Sequence, residues 1–216
     1  HTGPLGWQLA PLTEPLLCAT HMKAHPVCYH GQSAVDAAAE LAGRLPPQEI
    51  AAIRIEVYEA AVRAMGGDPT RWAPTTRETA DHSLPYTVGV TLARGRLTAA
   101  DYAPDRLKDP EIAGLMARTT VEESQAFTSA YPQAAQARVT VVSRSGETFS
   151  AGREQPRGHA RNPLPDPELE RKLEGLWPES WGEGGAARVA VAVWALDRSD
   201  SVVPLVDLLC SGSAAA

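Results

Sequence analysis

The run His21-Met22-Lys23-Ala24-His25-Pro26-Val27-Cys28-Tyr29-His30-Gly31-Gln32 holds the densest set of reactive side chains in the sequence. Three readings stay open for it. His21, His25, Cys28 and His30 are ligand types that suit zinc, although Pro26 prevents one continuous helix from presenting them together. Alternatively the run is an anion site. Lys23 would then supply a point charge, His30 a group that titrates near neutrality, and Gln32 an orienting amide. The third reading is a solvated loop.

A second cluster, Arg77-Glu78-Thr79-Ala80-Asp81-His82-Ser83-Leu84-Pro85-Tyr86, ends a polar stretch and enters a helix. Free N–H groups and the positive end of the dipole make a helix start a good place for a carboxylate, and His82, Ser83 and Tyr86 are placed to serve it. The plain alternative is an N-cap at Ser83 with Tyr86 in the core. A third cluster, Arg157-Gly158-His159-Ala160-Arg161, offers Arg157 and Arg161 as a carboxylate clamp or as exposed loop residues. There is no G-x-S-x-G, no G-x-G-x-x-G and no Walker loop, and three scattered cysteines do not suit an iron–sulfur cluster.

Composition narrows the partners. With a net charge of -6 and no Lys/Arg run, the sequence argues against nucleic acid, while a local cluster of cations still allows an anionic substrate. No apolar run approaches the roughly 18 residues that span a bilayer. No signal peptide is visible, and the odd cysteine count fits reduced thiols, so a cytoplasmic location is expected. The chain opens at His1 rather than Met, which leads us to expect a preceding segment or a trimmed end.

The elements that must position these clusters follow from spacing. Residues 1–32 read as an opening segment rich in Pro, Gly and His. Ala34, Ala38, Leu41 and Leu45 share a helical face, with Ser33 as its cap and Pro46-Pro47 as its stop. Ile53, Ile55 and Val57 alternate with Arg54, Glu56 and Tyr58, a half-buried strand with the polar set outward. Residues 70–81 read as irregular. Ser83 caps a helix to Arg94, Asp109-Pro110 opens another, and 119–123 suits a short strand. Ala137–Val142 and Glu147–Arg153 make a hairpin around Ser145-Gly146. Helices follow at 166–176, capped by Asp166, and at 186–197 and 201–210. Helices and strands interleave without a βαβ rhythm, which points to α+β, with residues 33–160 as the α+β unit and 161–216 as a helical segment.

The order of these clusters resembles the MmgE/PrpD family, C-terminal half, in its 2-methylcitrate dehydratase form. Thr2-Gly3-Pro4-Leu5-Gly6 is similar to a T-G-P-x-G element. Lys23 through Ala37 resembles the family's Lys, aromatic, Pro, then His-x-Gln-x-A-V-[DE]-A stretch. Ala80 to Tyr86, Gly95 to Tyr102 and Gly158-His159-Ala160-Arg161 follow in order, and Asn162-Pro163-Leu164 with Glu168, Leu169 and Lys172 resembles the ending.

The resemblance implies a small α+β domain with antiparallel strands, plus terminal helices that pack on a helical domain not found in this sequence. It implies a lyase without metal or other cofactor, eliminating water from a small tricarboxylate. Lys23, His30, His82 and Tyr86 would line the pocket as catalytic residues, with Gln32, Ser83, Arg157 and Arg161 binding substrate. Cys28 stands where decarboxylase relatives carry His, which favours dehydration over decarboxylation; a related decarboxylase or epimerase acting on a small di- or tricarboxylate is the further alternative. The family's N-terminal Asp- and His-rich motifs have no counterpart here. The chain alone is therefore expected to be inactive, to need an N-terminal half or subunit, and to form a homodimer as relatives do. The rival expectation is a non-catalytic subunit or gene remnant.

Overall fold

The computed structural model describes residues 16–213, so the Thr2–Gly6 motif lies outside the described residues. The chain divides into two compact units, one ending at Pro163 and the other beginning at Leu164.

The first unit is built on a four-stranded sheet in the order β2-β1-β3-β4. β1 (Ile50–Val57) forms where β-branched residues alternate: Ile53, Ile55 and Val57 are buried while Arg54 is exposed. β3 (Ala137–Ser143) runs antiparallel to it, pairing Ile55 with Val139, and turns through Gly146 (φ +90°) into β4 (Thr148–Arg153). β2 (Thr119–Glu123) joins the other edge of β1 in parallel, with Ile53 opposite Thr119. The sheet is thus mixed, and the expected antiparallel arrangement holds for β1, β3 and β4. A parallel neighbour needs a long crossover, and the helices between β1 and β2 provide it.

α1 (Gln32–Leu41) packs on β3, β4 and α4 (Leu84–Arg94), and α4 also packs on α5 (Pro110–Met116). Sandwiched this way, α4 is buried from Leu84 to Leu92. Its polar residues survive there because Thr87 Oγ1 donates to Ser83 O and Thr91 Oγ1 to Thr87 O, each at 2.7 Å.

Several local readings change. α1 starts at Gln32, and Ser33 does not cap it; its hydroxyl donates instead to Ala135 O. α2 (Glu59–Met65) begins directly after β1, so the alternation stops and Tyr58 is buried, 1% exposed, rather than outward. The stretch read as irregular contains α3 (Arg77–Asp81), whose start is closed by a Thr76/Thr79 capping box. α6 (Gln125–Ala130) carries no sequence signal of length or periodicity.

The second unit consists of α7 (Asp166–Leu176), α8 (Gly185–Trp194) and α9 (Val203–Ser213), with α8 packed on both others. Asp166 is the first helical residue and Pro165 occupies the cap position. Trp177 lies against Gly185, where a Cβ would come within 2.4 Å of the indole. No described helix is long and apolar enough to cross a membrane.

Candidate functional site

The fold brings the three polar clusters together. The Cys28 N–H donates to Asp81 O at 3.0 Å, and the Tyr102 hydroxyl donates to Pro26 O at 2.7 Å. The third cluster joins through Gly158, whose carbonyl accepts from the Met22 N–H at 2.8 Å. Gly158 has φ +83°, and a Cβ there would sit 1.8 Å from Met22 O. Both conditions require glycine.

Two side chains of α1 hold the His21–Gln32 loop, Gln32 through the loop backbone and Asp36 through the His25 ring. Gln32 is almost fully buried; its Oε1 accepts from the His25 N–H at 3.1 Å, and its Nε2 donates to His25 O at 2.8 Å and Val27 O at 3.0 Å. Its amide, expected to bind substrate, is engaged by the loop backbone. One turn later, buried Asp36 accepts from His25 Nε2 at 2.8 Å and from the Arg157 N–H at 2.7 Å. Residues four apart share a helix face, so the pair Gln32/Asp36 was a readable sign that α1 braces this loop.

Three of the predicted residues in the first two clusters remain open. Lys23 is exposed, and its ammonium donates to Val27 O at 3.1 Å while keeping further N–H groups for a ligand. His30 Nδ1 lies 2.7 Å from the Tyr58 hydroxyl, and Tyr58 stacks on Tyr131 with ring centroids 4.3 Å apart. Burial, with the nearby charges of His82 and Arg63, holds the His30 imidazole below its ordinary range, so the ring is neutral at pH 7. Burial, reinforced by Tyr131, Tyr29 and Cys28, pushes the Tyr58 hydroxyl far up, so it keeps its proton. His82 is half-buried; its Nδ1 faces Asp81 Oδ1 at 2.5 Å and Glu78 O at 3.2 Å.

Ser83 and Tyr86 are not open. Ser83 is buried at the head of α4, where its Oγ accepts from the Tyr86 N–H at 3.1 Å and donates to Arg71 O. The Tyr86 hydroxyl is buried and donates to Asp101 O; burial raises it to about 12. This arrangement is the plain alternative read for the cluster, an N-cap at Ser83 with Tyr86 in the core, and it engages both hydroxyls with backbone groups. The Tyr86 ring lines an apolar cavity of about 670 Å³ with Trp72, Pro74, Leu107, Ile112 and Met116, and among the described residues no histidine borders it.

The Arg157 backbone is anchored to Asp36, and exposed Arg161 reaches Gln133 O at 3.4 Å. Between them, buried His159 accepts from the Arg161 N–H at 2.9 Å and packs edge-on against His21, with centroids 4.0 Å apart. Burial, then the charges of His21 and Arg161, lower its basicity.

The four loop residues considered for zinc do not converge. Among the described residues, the one group of three metal-ligand types gathered within 4.8 Å is Glu78, Asp81 and His82. There the Asp81–His82 contact of 2.5 Å is a hydrogen bond, closer than two ligands of one tetrahedral ion with bonds of roughly 2.0–2.2 Å would stand.

A mixed sheet backed by helices, with three polar segments joined through backbone hydrogen bonds, defines an α+β domain. The profile of the MmgE/PrpD C-terminal domain matches residues 25–198, and the chain belongs to the MmgE/PrpD family. It is similar to the 2-methylcitrate dehydratase of Cupriavidus necator, 39% identical over 113 residues, which is 50% of this chain and 23% of that protein. The 2-methylcitrate dehydratases of Salmonella typhimurium and Escherichia coli are 34% and 32% identical over 146 residues, 63% of this chain and 30% of each relative. The chain thus matches less than a third of the length of these relatives.

Proposed function

We propose that this chain is the C-terminal-domain part of a hydro-lyase that eliminates water from a small tricarboxylate of the 2-methylcitrate type. The observation that carries the reading is the seating of the Lys23–His30 loop on Asp81, which puts an exposed ammonium and two imidazoles on neighbouring segments. The names of the relatives supply the reaction.

Removing a proton α to a carboxylate leaves negative charge on the substrate, which needs a base, a route for the proton and a cation to absorb the charge. Lys23 binds a carboxylate and stabilises that charge. His30 and His82 handle protons and hydrogen bonds. Arg161, exposed at the rim, is the further cation. Cys28 in place of His favours dehydration.

In this reading the rest of the site comes from the N-terminal region that the relatives carry and this match does not reach. The test joins residues 1–216 to such a region, or supplies it as a separate polypeptide, and follows alkene formation from 2-methylcitrate by its absorbance. Turnover is expected in the combination and not in the chain alone. Lys23→Ala in the combination is expected to lower kcat/KM by at least about 100-fold, the usual scale for a positioned catalytic group. Turnover that survives Lys23→Ala removes Lys23 from the mechanism; no turnover in any combination overturns the reaction assignment.

A further inference from the structure

We infer that Tyr58 and Asp81 are positioning residues that fix His30 and His82 in opposite tautomers, leaving His30 with a free Nε2–H donor and His82 with a free Nε2 lone pair. The chemical meaning of this division rests on the hydro-lyase reading; the division itself rests on which atoms are donors.

At His30 the argument is one of satisfaction. The Tyr58 hydroxyl is buried, and its one hydrogen-bond partner among the described residues is His30 Nδ1, at 2.7 Å. Had His30 donated to Tyr58, the tyrosine proton would be left buried and unpaired, at a cost of about 1–3 kcal/mol. Tyr58 therefore donates, Nδ1 accepts, and the ring hydrogen resides on Nε2. The stack on Tyr131 fixes the phenol plane and so the direction of that donation.

At His82 the argument is the reverse. The atoms around Nδ1 are Asp81 Oδ1, Glu78 O and, at 3.6 Å, Glu78 Oε1. An ionised carboxylate and a carbonyl only accept, so Nδ1 carries the hydrogen and Nε2 keeps its lone pair. A carboxylate behind an imidazole orients it and steadies the imidazolium that forms when the ring takes a proton.

Applied to water elimination, the two rings are not interchangeable. The His82 Nε2 lone pair takes the proton α to a carboxylate, and the C–H electron pair becomes the second bond of the alkene. The C–O pair leaves with the hydroxyl oxygen, and His82 returns its proton to that oxygen, releasing water. His30 stays neutral throughout and donates its Nε2–H to the oxygen on which negative charge builds. The sequence left both histidines as equal candidates for the proton; Tyr58 and Asp81 separate them.

The test has two arms. Long-range proton–nitrogen correlation spectra of the 216-residue chain, at about pH 8.5 and so well above the ordinary imidazole pKa of about 6.5, read the tautomers directly. His30 is expected protonated on Nε2 and His82 on Nδ1. Tyr58→Phe is expected to shift His30 toward a mixture while His82 stays unchanged; if that variant does not fold, the wild-type spectrum alone decides. The same tautomer on both rings overturns the inference. In the complete enzyme, His82→Gln is expected to lower kcat about 100- to 10,000-fold. His30→Gln, which retains an N–H, is expected to lower it less than about tenfold, and a larger loss in His30→Gln than in His82→Gln overturns the division of roles. An enzyme without lyase activity but with the expected tautomers removes the hydro-lyase reading and leaves the tautomer assignment standing.

Discussion

In the loop from His21 to Gln32, the side chain that fixes the backbone is Gln32, the first residue of α1; at the head of α4 it is Ser83, the cap. Each is buried and each is consumed by backbone groups that the start of a helix or the bend of a loop leaves unpaired. The side chains that stay open, Lys23, His30 and His82, lie just ahead of those anchors. The difference between the regions lies in what backs the open ring. His30 is backed by a buried phenol that donates to it, and His82 by a half-exposed carboxylate that accepts from it. Nearly identical lists of polar residues thus yield one donor surface and one acceptor.

The largest effect is expected where the comparison can be broken outright. Gly158→Ala places a methyl on Met22 O and forces an alanine to φ +83°. We expect a loss of at least about 3 kcal/mol, the sum of backbone strain and overlap, measured by urea denaturation. The His21–Lys23 end of the first region should loosen with it, seen as faster amide exchange at Met22, while the amides of α4 stay protected up to the new global stability. Wild-type stability in this variant would mean the turn at 157–159 does not clamp the loop.

Replacing the two anchors sharpens the same contrast. Gln32→Leu leaves the His25 N–H unpaired and takes one donor each from the His25 and Val27 carbonyls beneath the loop, and about 2–3 kcal/mol should be lost. Ser83→Ala removes one cap, and about 1–2 kcal/mol should be lost, near the upper end for exposed caps because Arg71 O also loses its donor. Equal losses, or the reverse order, would show that the two anchors are not used as described. Smaller still is Tyr86→Phe, which strands only Asp101 O: about 1 kcal/mol by thermal unfolding, with KM in the complete enzyme unchanged. A several-fold rise in KM would restore Tyr86 to the substrate.

What the sequence disclosed follows the range of each interaction. The alternation in β1, the hairpin at Gly146 and the Ser83-Leu84-Pro85 helix start are local, and they appear where spacing placed them. Tyr58 was misread because nothing within the strand announces that α2 begins one residue later and folds the phenol under His30. The parallel placement of β2 is likewise a matter of long-range topology. Gln32 looked like a free polar group because residue type does not reveal whether a side chain faces a ligand or a stranded backbone amide, whereas Ser83 was legible as a cap from its place before Leu84-Pro85. The three clusters were each visible; that Gly158 and Cys28 stitch them together was not, since both contacts are made by backbone atoms.

The weakest effect separates the two regions by pH. Burial lowers the basicity of His30 and of His159, so the unfolded chain binds protons more readily than the folded one as pH falls. Their contribution is complete above the ordinary histidine value of about 6.5 and is lost as pH drops from there toward their depressed folded values. Beside α4 the carboxyl of Asp101 behaves differently. Burial pushes it up, but hydrogen bonds from Thr98 and the charge of Arg94 outweigh that and hold it below its usual range. Its contribution is therefore retained until pH falls below the unfolded carboxyl value of about 3.9. Denaturation midpoints measured from pH 8 downward should first decline below about pH 6.5, and a His30→Gln/His159→Gln pair should flatten that first decline while leaving the one below about pH 4 in place. A first decline of undiminished size in the double variant would place the mildly acidic sensitivity elsewhere in the fold and remove the distinction between a histidine-limited loop and a carboxylate-limited helix.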